Sequence, residues 1–315
     1  MKNLPSMTSI LGDSLFNFGK AFIDSWYRLP DKIEYPIDNQ YYLNDIFIPI
    51  GESKKGKHYL KIGGEQSHTY IVGQSGAGKS NTVKVILTTL TKNYPNVMLY
   101  LLDYKRVELS LFKDTKNCMR FEWDIDNISQ ALQDLYDIVL KRYDDLAVSE
   151  ETEVGPNVPP IVCVIEEISL MPKADAKILR KIMAISRAVH IYIIFTTQRP
   201  SHEVLDNVIK SLVGNRICLK TDDVKNSIIS LDSEGCELLR GHGHGYYKAN
   251  GITTEIQCYY IKDETVKAIT KEHKRIQPSN QGSRPIEPIV GNDTESWVDA
   301  LWWRWQTGIT RLLNL

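Results

Sequence analysis

The sequence lacks several features that would define whole classes of protein. No apolar run reaches the ~18 residues that a membrane-spanning helix requires. The N-terminus lacks the basic start and unbroken apolar stretch of a secretory signal peptide. These absences favour a cytoplasmic protein without integral membrane contact. No internal repeat is visible.

Cysteine and net charge are low as well. Five cysteines are scattered along the chain without C-x-x-C spacing, which indicates buried thiols in a reducing compartment and no disulfide framework or zinc site. The formal net charge is −1, so no overall positive field advertises nucleic-acid binding. These cysteines are Cys118, Cys163, Cys218, Cys236 and Cys258.

The chain is long enough for one large α/β domain or at most two domains, with 315 residues of which 42% are hydrophobic. Short apolar segments alternate with helical patterns between residues 69 and 262, which predicts a mostly parallel sheet. The predicted strands are 69–72, 97–102, 161–165, 191–196 and 216–219, and the predicted helices include 81–94 and 173–189.

Outside this domain the sequence predicts helices at both termini. Residues 1–44 are predicted to form a helical extension, with an amphipathic helix at about 7–28. A linker is expected over 263–292, and a separate amphipathic helix over 293–315 carries Trp297, Trp302, Trp303 and Trp305. This last helix either packs on its own core or a neighbouring subunit, or docks on a partner protein or membrane surface.

A phosphate-binding pattern lies between the first predicted strand and helix. The segment satisfies G-x-x-x-x-G-K-[ST] at every specified position. Glycines let successive N–H groups curl around phosphate oxygens, and the helix N-terminus adds its positive dipole end. We therefore expect binding of ATP and Mg²⁺, with Lys79 bridging the β- and γ-phosphates and the Ser80 hydroxyl holding the metal. The expected nucleotide-binding residues are Gly73, Gln74, Ser75, Gly76, Ala77, Gly78, Lys79, Ser80 and Asn81.

Two acidic residues follow a second apolar strand. Glu166 and Glu167 come directly after strand 161–165. In P-loop enzymes the first acid at this place supports Mg²⁺, and the second polarises the attacking water. A further strand, 97–102, lies between the P-loop and this acid pair, an arrangement that suits the additional-strand, catalytic-glutamate division of P-loop proteins.

The next strand ends in Thr-Thr-Gln-Arg-Pro. We expect strand 191–196 to lie beside the P-loop strand, because that arrangement places Gln198 near the γ-phosphate as a sensor.

Three segments resemble FtsK/SpoIIIE-type DNA translocases. They are residues 187–201, residues 102–109 with Leu-Asp-Tyr-Lys and Glu-Leu, and residues 235–247 with Gly-His-Gly-His-Gly. The resemblance covers roughly residues 45–262, and the motifs follow the order of the family. It implies a RecA-like motor domain of the FtsK/HerA superfamily, a homo-oligomeric ring of the hexameric type, ATP between subunits and double-stranded DNA in the pore.

The resemblance also suggests a position for an arginine finger and a biological setting. Arg187 stands where related motors place an arginine that reaches a neighbour's ATP. A surface salt bridge on helix 173–189 is the alternative, and Arg216 is the second candidate. Too few residues follow 262 for the winged-helix module of chromosomal translocases, so plasmid or conjugative transfer or genome packaging is expected.

Two other functions stay open. The first is a protein-secretion motor, since type VII secretion ATPases share this superfamily core. The second is a nucleotide-gated scaffold that does not hydrolyse, because the family usually has Asp at the position of Glu166. Peptide stimulation of hydrolysis would favour the first, and ATP binding without turnover would favour the second.

Weaker signals concern metal and DNA. His242 and His244 are interpreted as part of a glycine-rich turn, because two histidines without a third ligand define no metal site. Residues 201–204 are a candidate pore loop. A basic loop that either lines a pore or is simply solvated contains Lys105, Arg106, Lys113 and Lys116.

Overall fold

The computed structural model describes residues 28–37, 46–64, 67–201, 203 and 205–275. The chain divides into two compact units, Met1–Arg275 and Ile276–Leu315, and the described residues belong to the first. The predicted helix at 7–28, apart from its last residue, the linker beyond residue 275 and the helix at 293–315 lie outside the described residues.

Strands in the described part of the chain form one large sheet. Its order is β3-β2-β11-β10-β9-β4-β8-β7-β5-β6, and β1 pairs with β11. The strands are β1 Ile33–Glu34, β2 Ile46–Ser53, β3 Gly56–Ile62, β4 His68–Val72, β5 Met98–Asp103, β6 Cys118–Glu122, β7 Ile161–Glu166, β8 Ile191–Thr197, β9 Val213–Leu219, β10 His244–Ala249 and β11 Ile252–Tyr260.

Helices follow most of the strands in the described residues. Single 3₁₀ turns occur at Ser110–Phe112, Ile168–Leu170 and Cys236–Leu238. The α-helices are α1 Lys79–Asn93, α2 Ile125–Ser149, α3 Lys173–Ile185, α4 Asn207–Leu212, α5 Val224–Leu231 and α6 Asp263–Glu272.

The predicted fold class, an α/β domain with a mostly parallel sheet, is confirmed. Neighbours from β9 through β4, β8, β7 and β5 to β6 are parallel. The other side of the sheet, from β9 through β10, β11 and β2 to β3, is antiparallel. Crossover helices cover the parallel half on both faces, which is why its strands are continuous apolar runs.

Strand β7 shows how the two cores are divided. Val162 and Val164 pack into one buried cluster with Leu87 of α1. Cys163 and Ile165 point to the opposite face and join the second buried cluster, which includes Leu132 of α2. Because side chains alternate along a strand, one short apolar segment supports both layers.

All five predicted strands are present as β4, β5, β7, β8 and β9. Strand β8 lies beside the P-loop strand β4, as expected, with Val72 opposite Thr197. The strand predicted at 97–102 lies between the P-loop and the two acids in the sequence, but it does not lie between them in the sheet. In the sheet β8 lies between β4 and β7, and β5 lies beyond β7.

The helix predicted over 173–189 ends earlier, at Ile185. Ser186 N donates to Ile182 O as the last helical bond, and Ile191 N donates back to Ser186 O at 3.0 Å. His190 adopts a positive φ of 52° in this reversal. Arg187 therefore lies in the turn that leads into β8 and not on the helix.

Part of the predicted linker is folded. The linker expected from residue 263 instead begins with helix α6, and the compact unit continues to Arg275. Val266 of α6 is fully buried, and Asp263 pairs with Lys84 of α1 at 2.7 Å. The apolar positions of this short helix pack on α1, so the domain extends past residue 262.

No helix in the described ranges is both long and apolar enough to cross a membrane.

A buried histidine makes the stability of this fold depend on pH. His68 begins β4, its Nε2 donates to Met183 O at 2.9 Å, and its Nδ1 accepts from Ile193 N at 3.0 Å. Burial lowers the pKa of His68 to about 4. The unfolded chain, with a pKa near ~6.5, binds this proton more readily. Stability from this group is therefore present above about pH 6.5 and lost as the pH falls towards 4.

We expect the free energy of unfolding to fall by about 2 kcal/mol between pH 7 and pH 5 through His68 alone. Urea denaturation at the two pH values measures it. The His68→Gln variant, which does not titrate, should be less stable at pH 7 and show a smaller pH dependence. An equal pH dependence in the variant would contradict this role of His68.

Candidate nucleotide site

The P-loop occupies the edge of the sheet where the parallel strands end. It follows β4 directly, and Gly73 N donates to Thr197 O at 3.3 Å. Gln74 N donates to Lys220 O, just past β9, at 2.8 Å. The loop is thus fixed between the carboxyl ends of β8 and β9, the position at which open α/β sheets bind ligands.

Gly78 is required by both conformation and space. Its φ is +108°, and a Cβ there would lie 2.6 Å from Gly243 N. Gly243 N itself donates to Ala77 O at 2.7 Å. Gly241, His242 and Gly243 all adopt positive φ, so the Gly-His-Gly-His-Gly segment is a turn, as interpreted from the sequence. This turn packs directly against the P-loop.

The start of α1 is open to an anion. Gly78 provides no side-chain cap, and the first turn carries no acidic residue. The first N–H groups of a helix have no acceptor within it, and the helix dipole adds positive potential there. The loop and helix start therefore match the expected phosphate site.

The side chain of Asn81 is engaged within the domain. Its side-chain amide donates to Tyr259 O at 2.7 Å and its Oδ1 accepts from Ile261 N at 3.1 Å. Both ends of the side chain thus tie α1 to the end of β11. Only the backbone of Asn81 remains for the nucleotide.

Lys79 and Glu166 form a buried ion pair across the site. Lys79 Nζ lies 2.6 Å from Glu166 Oε1, and the two side chains are 4% and 0% exposed. Burial raises the pKa of the Glu166 carboxyl, and the Lys79 ammonium opposes that rise. The pair joins the helix that binds phosphate to the strand that carries the acid.

The residues present fit a magnesium ion. The Ser80 hydroxyl donates to Glu108 Oε1 at 2.7 Å, which leaves its oxygen lone pairs available to a cation. Glu166 Oε2 is buried and makes no hydrogen bond within the described residues. Hydroxyl and carboxylate oxygens are the ligands that Mg²⁺ prefers. Ser80 and Glu166 are the residues that would hold the ion, with Glu108 beside them.

Glu167 adopts a backbone conformation that is unusual for its residue type. Its φ is 62°, in the left-handed region, which non-glycine residues adopt at a cost of about 1–3 kcal/mol. Glu167 N donates to Thr196 Oγ1 at 2.9 Å and fixes this turn. This conformation turns the Glu167 side chain away from that of Glu166, so the two adjacent acids contact different partners.

The Glu167 carboxylate is held from three sides. Lys105 Nζ approaches Oε2 at 2.7 Å, Ser169 donates to Oε1 at 2.5 Å, and Gln198 N donates to Oε1 at 3.0 Å. Burial raises the pKa of Glu167, but these hydrogen bonds outweigh burial, so the pKa lies below its ordinary value. The group is thus held as the carboxylate that a general base requires.

The structure brings together most of the predicted catalytic residues but not all of them. Gln198 follows β8 directly, and its backbone N–H donates to Glu167 Oε1. Arg187 is exposed and lies at the opposite end of β8. The seven-residue strand β8 lies between them and spans about 20 Å at the usual rise, so Arg187 lies too far away to reach phosphates bound at the P-loop of the same chain.

Arg216, the second finger candidate, is engaged within the domain. Its guanidinium pairs with Asp232 and stacks 5.6 Å from the ring centroid of Tyr70. Arg216 lies on β9 next to β4 and packs on the buried Tyr70, while its partner Asp232 is 45% exposed, so these contacts give Arg216 a structural role.

The structure places the histidines of the glycine-rich turn and the residues of the two candidate DNA loops in different surroundings. His244 Nε2 lies 2.7 Å from Glu255 Oε1, and no cluster of three metal-ligating side chains occurs among the described residues. Lys105 contacts Glu167, whereas Arg106 is exposed and pairs loosely with Asp124 at 3.8 Å. Parts of the 201–204 candidate loop lie outside the described residues.

Sequence reasoning did not predict that the loop after β5 contacts two of the predicted site residues. Lys105 reaches Glu167, and Glu108 reaches Ser80. Asp103 shapes this loop by accepting from Lys105 N and Leu109 N, both at 3.0 Å. The available signal was Asp103 itself, which ends a buried strand next to β7, because parallel strands bring their carboxyl ends to one edge.

Comparisons with known proteins agree with this site. The sequence model of the FtsK/SpoIIIE family matches residues 47–230, which include the P-loop, both acids and Gln198. The chain belongs to the FtsK/SpoIIIE family. Its resemblance to FtsK/SpoIIIE-type translocases, inferred from the motifs, is confirmed.

Individual relatives of this FtsK/SpoIIIE-family protein are larger. A DNA translocase FtsK from Corynebacterium efficiens is 26% identical over 343 residues, covering 95% of this chain and 36% of the relative. A DNA translocase FtsK from Borreliella burgdorferi is 28% identical over 268 residues, covering 78% of this chain and 34% of the relative. The chain spans about a third of the length of these curated relatives.

Solved structures share the fold of this FtsK/SpoIIIE-family protein. The pCW3 conjugation coupling protein TcpA, in its monomer form with ATPgS, has a TM-score of 0.66 at 24% identity, covering 79% of this chain and 76% of that chain. EssC (ATPases 2 and 3) from Geobacillus thermodenitrificans has a TM-score of 0.68 at 15% identity, covering 78% and 51%. These likenesses establish a P-loop ATPase fold.

Replacing Lys105 with Ala should move the acid limb of the pH–rate profile for nucleotide hydrolysis to higher pH. The lysine holds the pKa of Glu167 low, so its removal raises that pKa and the base is protonated sooner as the pH falls. Lys113→Ala, an exposed lysine of the same segment, is the matched control. An unchanged acid limb in Lys105→Ala would show that this contact does not set the pKa of the base.

Proposed function

We propose that this chain hydrolyses ATP and uses the energy to move along double-stranded DNA as part of a homo-oligomeric ring. Membership of the FtsK/SpoIIIE family, with the P-loop, both acids and Gln198 inside the matched region, is the observation that carries the proposal. The named relatives are DNA translocases. The EssC likeness shows fold alone, so a secretion motor gains no support beyond the shared superfamily core.

Different residues around the P-loop carry the separate parts of the proposed chemistry. Residues 73–80 hold the phosphates, and Lys79 exchanges its contact with Glu166 for phosphate oxygens. A magnesium ion, when bound, neutralises charge on the transferring group. Glu167 then takes a proton from the attacking water, and Gln198, fixed to Glu167 through its N–H, orients that water at the γ-phosphate.

The location of Arg187 supports a ring. An arginine at the far end of β8 is remote from its own P-loop but exposed at the domain surface, where it can reach a neighbour's nucleotide. A finger supplied in this way spreads positive charge over the transferring phosphoryl group. The assignment to plasmid or conjugative transfer or to genome packaging is the narrower part of the proposal.

Duplex DNA should stimulate ATP hydrolysis, and the stimulation should fall with salt because phosphate contacts release counterions. Hydrolysis with and without long duplex DNA at low and moderate salt measures this. Lys79→Ala should remove it, and Glu167→Gln should slow turnover by roughly 10²–10⁴-fold while ATP still binds.

Because Lys79→Ala leaves Glu166 buried without its partner, its folding is checked by thermal unfolding, and Glu167→Gln serves as the second variant. Hydrolysis that responds to a secreted peptide and not to DNA would overturn the DNA motor in favour of a secretion motor. Binding without turnover in wild type, unchanged by Glu167→Gln, would favour the non-hydrolysing scaffold.

Arg187→Ala should lower turnover by about 10³-fold or more, with little change in ATP affinity, if it acts as a finger between subunits. Lys177→Ala, an exposed cation on α3, is the matched control. Mixing Arg187→Ala with Glu167→Gln subunits should restore part of the activity, since some interfaces regain both groups. Normal turnover in Arg187→Ala would rule out this role.

A further inference from the structure

Asp103 is a fully buried acid that the proposed chemistry does not use. It is the last residue of β5 and lies opposite Glu166, the last residue of β7, at the edge where the parallel strands end. None of its side chain is exposed to solvent. Because burying a charge is costly unless the charge is paired or hydrogen-bonded, an acid at this place requires partners that justify it.

Both oxygens of the Asp103 carboxylate bind the turn that follows β5. Oδ1 accepts from Lys105 N and Oδ2 accepts from Leu109 N, each at 3.0 Å. Arg106 N donates to the carbonyl of Asp103 at 3.1 Å. Hydrogen bonds to an ionised acceptor are about twice as strong as neutral ones. One side chain therefore fixes both ends of the turn.

The turn is anchored at its ends and exposed in its centre. Leu109 is fully buried and accepts from Phe112 N at 3.1 Å, at the start of the following 3₁₀ turn. Val107 is 68% exposed, and Arg106 contacts Asp124 only at 3.8 Å on the surface. Because surface ion pairs contribute little, the buried bonds from Asp103 are the stronger restraint on this turn.

Two side chains of the turn reach two different parts of the site. Lys105 Nζ lies 2.7 Å from Glu167 Oε2, the proposed general base. Glu108 Oε1 accepts from the Ser80 hydroxyl at 2.7 Å and so orients the oxygen that is predicted to hold the metal. Catalytic groups must be held within about 0.5 Å of their productive geometry. Both contacts therefore depend on how firmly the turn is held.

We propose that Asp103 is a positioning residue for ATP hydrolysis. Through one turn it places Lys105 on the general base and Glu108 on the hydroxyl that is predicted to hold the metal. The assignment rests on the proposed ATPase function. Asp103 contacts neither the nucleotide nor the metal in this role. Loss of its carboxylate therefore weakens two separate contacts and leaves the P-loop backbone unchanged.

The near-isosteric variant Asp103→Asn tests the proposal. An amide oxygen accepts from one of the two N–H groups, whereas the amide nitrogen cannot accept from the other. Turnover at saturating ATP should fall by about 10-fold or more, the size expected for a lost hydrogen bond to a charged group. The Mg²⁺ concentration that gives half-maximal binding of a fluorescent ATP analogue should rise several-fold. Binding of the analogue in EDTA should stay unchanged.

Asp175→Asn is the matched control. Asp175 is another buried acid, and its Oδ2 accepts from the Ser129 hydroxyl at 2.7 Å between α3 and α2. This variant removes the same charge elsewhere and should leave turnover and the Mg²⁺ dependence unchanged. Thermal unfolding checks that each variant is folded.

A second variant retains Asp103 and inserts one glycine between Arg106 and Val107. Both neighbours of the insertion are exposed, so the core is not disturbed. Because the insertion loosens the turn, it should reproduce the effects of Asp103→Asn on turnover and on the Mg²⁺ dependence. If Asp103→Asn fails to fold, this variant decides alone, and normal values in it overturn the proposal.

Double-mutant cycles test whether Asp103 acts through the two contacts. In the Asp103→Asn background, Lys105→Ala should cost little further turnover, because the contact of Lys105 is already weakened. In the same background, Glu108→Ala should cause little further change in the Mg²⁺ dependence. Fully additive losses would contradict the proposal, since Asp103 would then act by another route.

The remaining outcomes separate this proposal from the proposed function. Unchanged turnover and Mg²⁺ dependence in folded Asp103→Asn leave Asp103 a purely structural residue and the ATPase function intact. An equal loss of analogue binding with and without Mg²⁺ also contradicts the proposal, because it indicates damage to the P-loop. Failure of the wild-type protein to bind and hydrolyse ATP overturns the proposed function itself.

Discussion

The structure depends on one buried ion pair at the edge where the parallel strands end. Lys79 and Glu166 are almost completely removed from water, and such burial is costly unless geometry and hydrogen bonds compensate. Their 2.6 Å contact requires α1, β4 and β7 to keep fixed positions. Bound phosphate would give Lys79 a new counter-charge, and a bound cation would give one to Glu166. Ligand binding is therefore linked to the spacing of α1, β4 and β7.

Local patterns identified the five central strands of the sheet, but they missed where one helix ends and where another forms. Strands such as β7 are continuous apolar runs, and the P-loop is a contiguous motif, so each is visible in a short window of sequence. The short turn after Ile185 and the helix at Asp263–Glu272 were missed because their outcomes depend on packing. An exposed arginine and a ten-residue helix carry weak local signals compared with the tertiary contacts that decide them.

The candidate site shows the same division. The sequence predicted Lys79 as a phosphate ligand, Glu166 as a metal ligand, and Glu167 and Gln198 as catalytic residues, because each belongs to a readable motif or follows a readable strand. Lys105 was read as a solvent or DNA contact, yet it lies on Glu167, across the site. No spacing rule connects residues 105 and 167, since their proximity results from the pairing of β5 with β7. The pairing of β5 with β7, which the sequence analysis did not predict, was the missing information.

The loop after β5 links the chemistry to the surface of the domain. Its inner residues contact Glu167 and Ser80, whereas Arg106 and Val107 between them are exposed. Asp103 fixes both ends of this short loop through hydrogen bonds. Because Asp103 holds both ends of the loop, the Lys105 contact with Glu167 and the Glu108 contact with Ser80 depend on one shared turn.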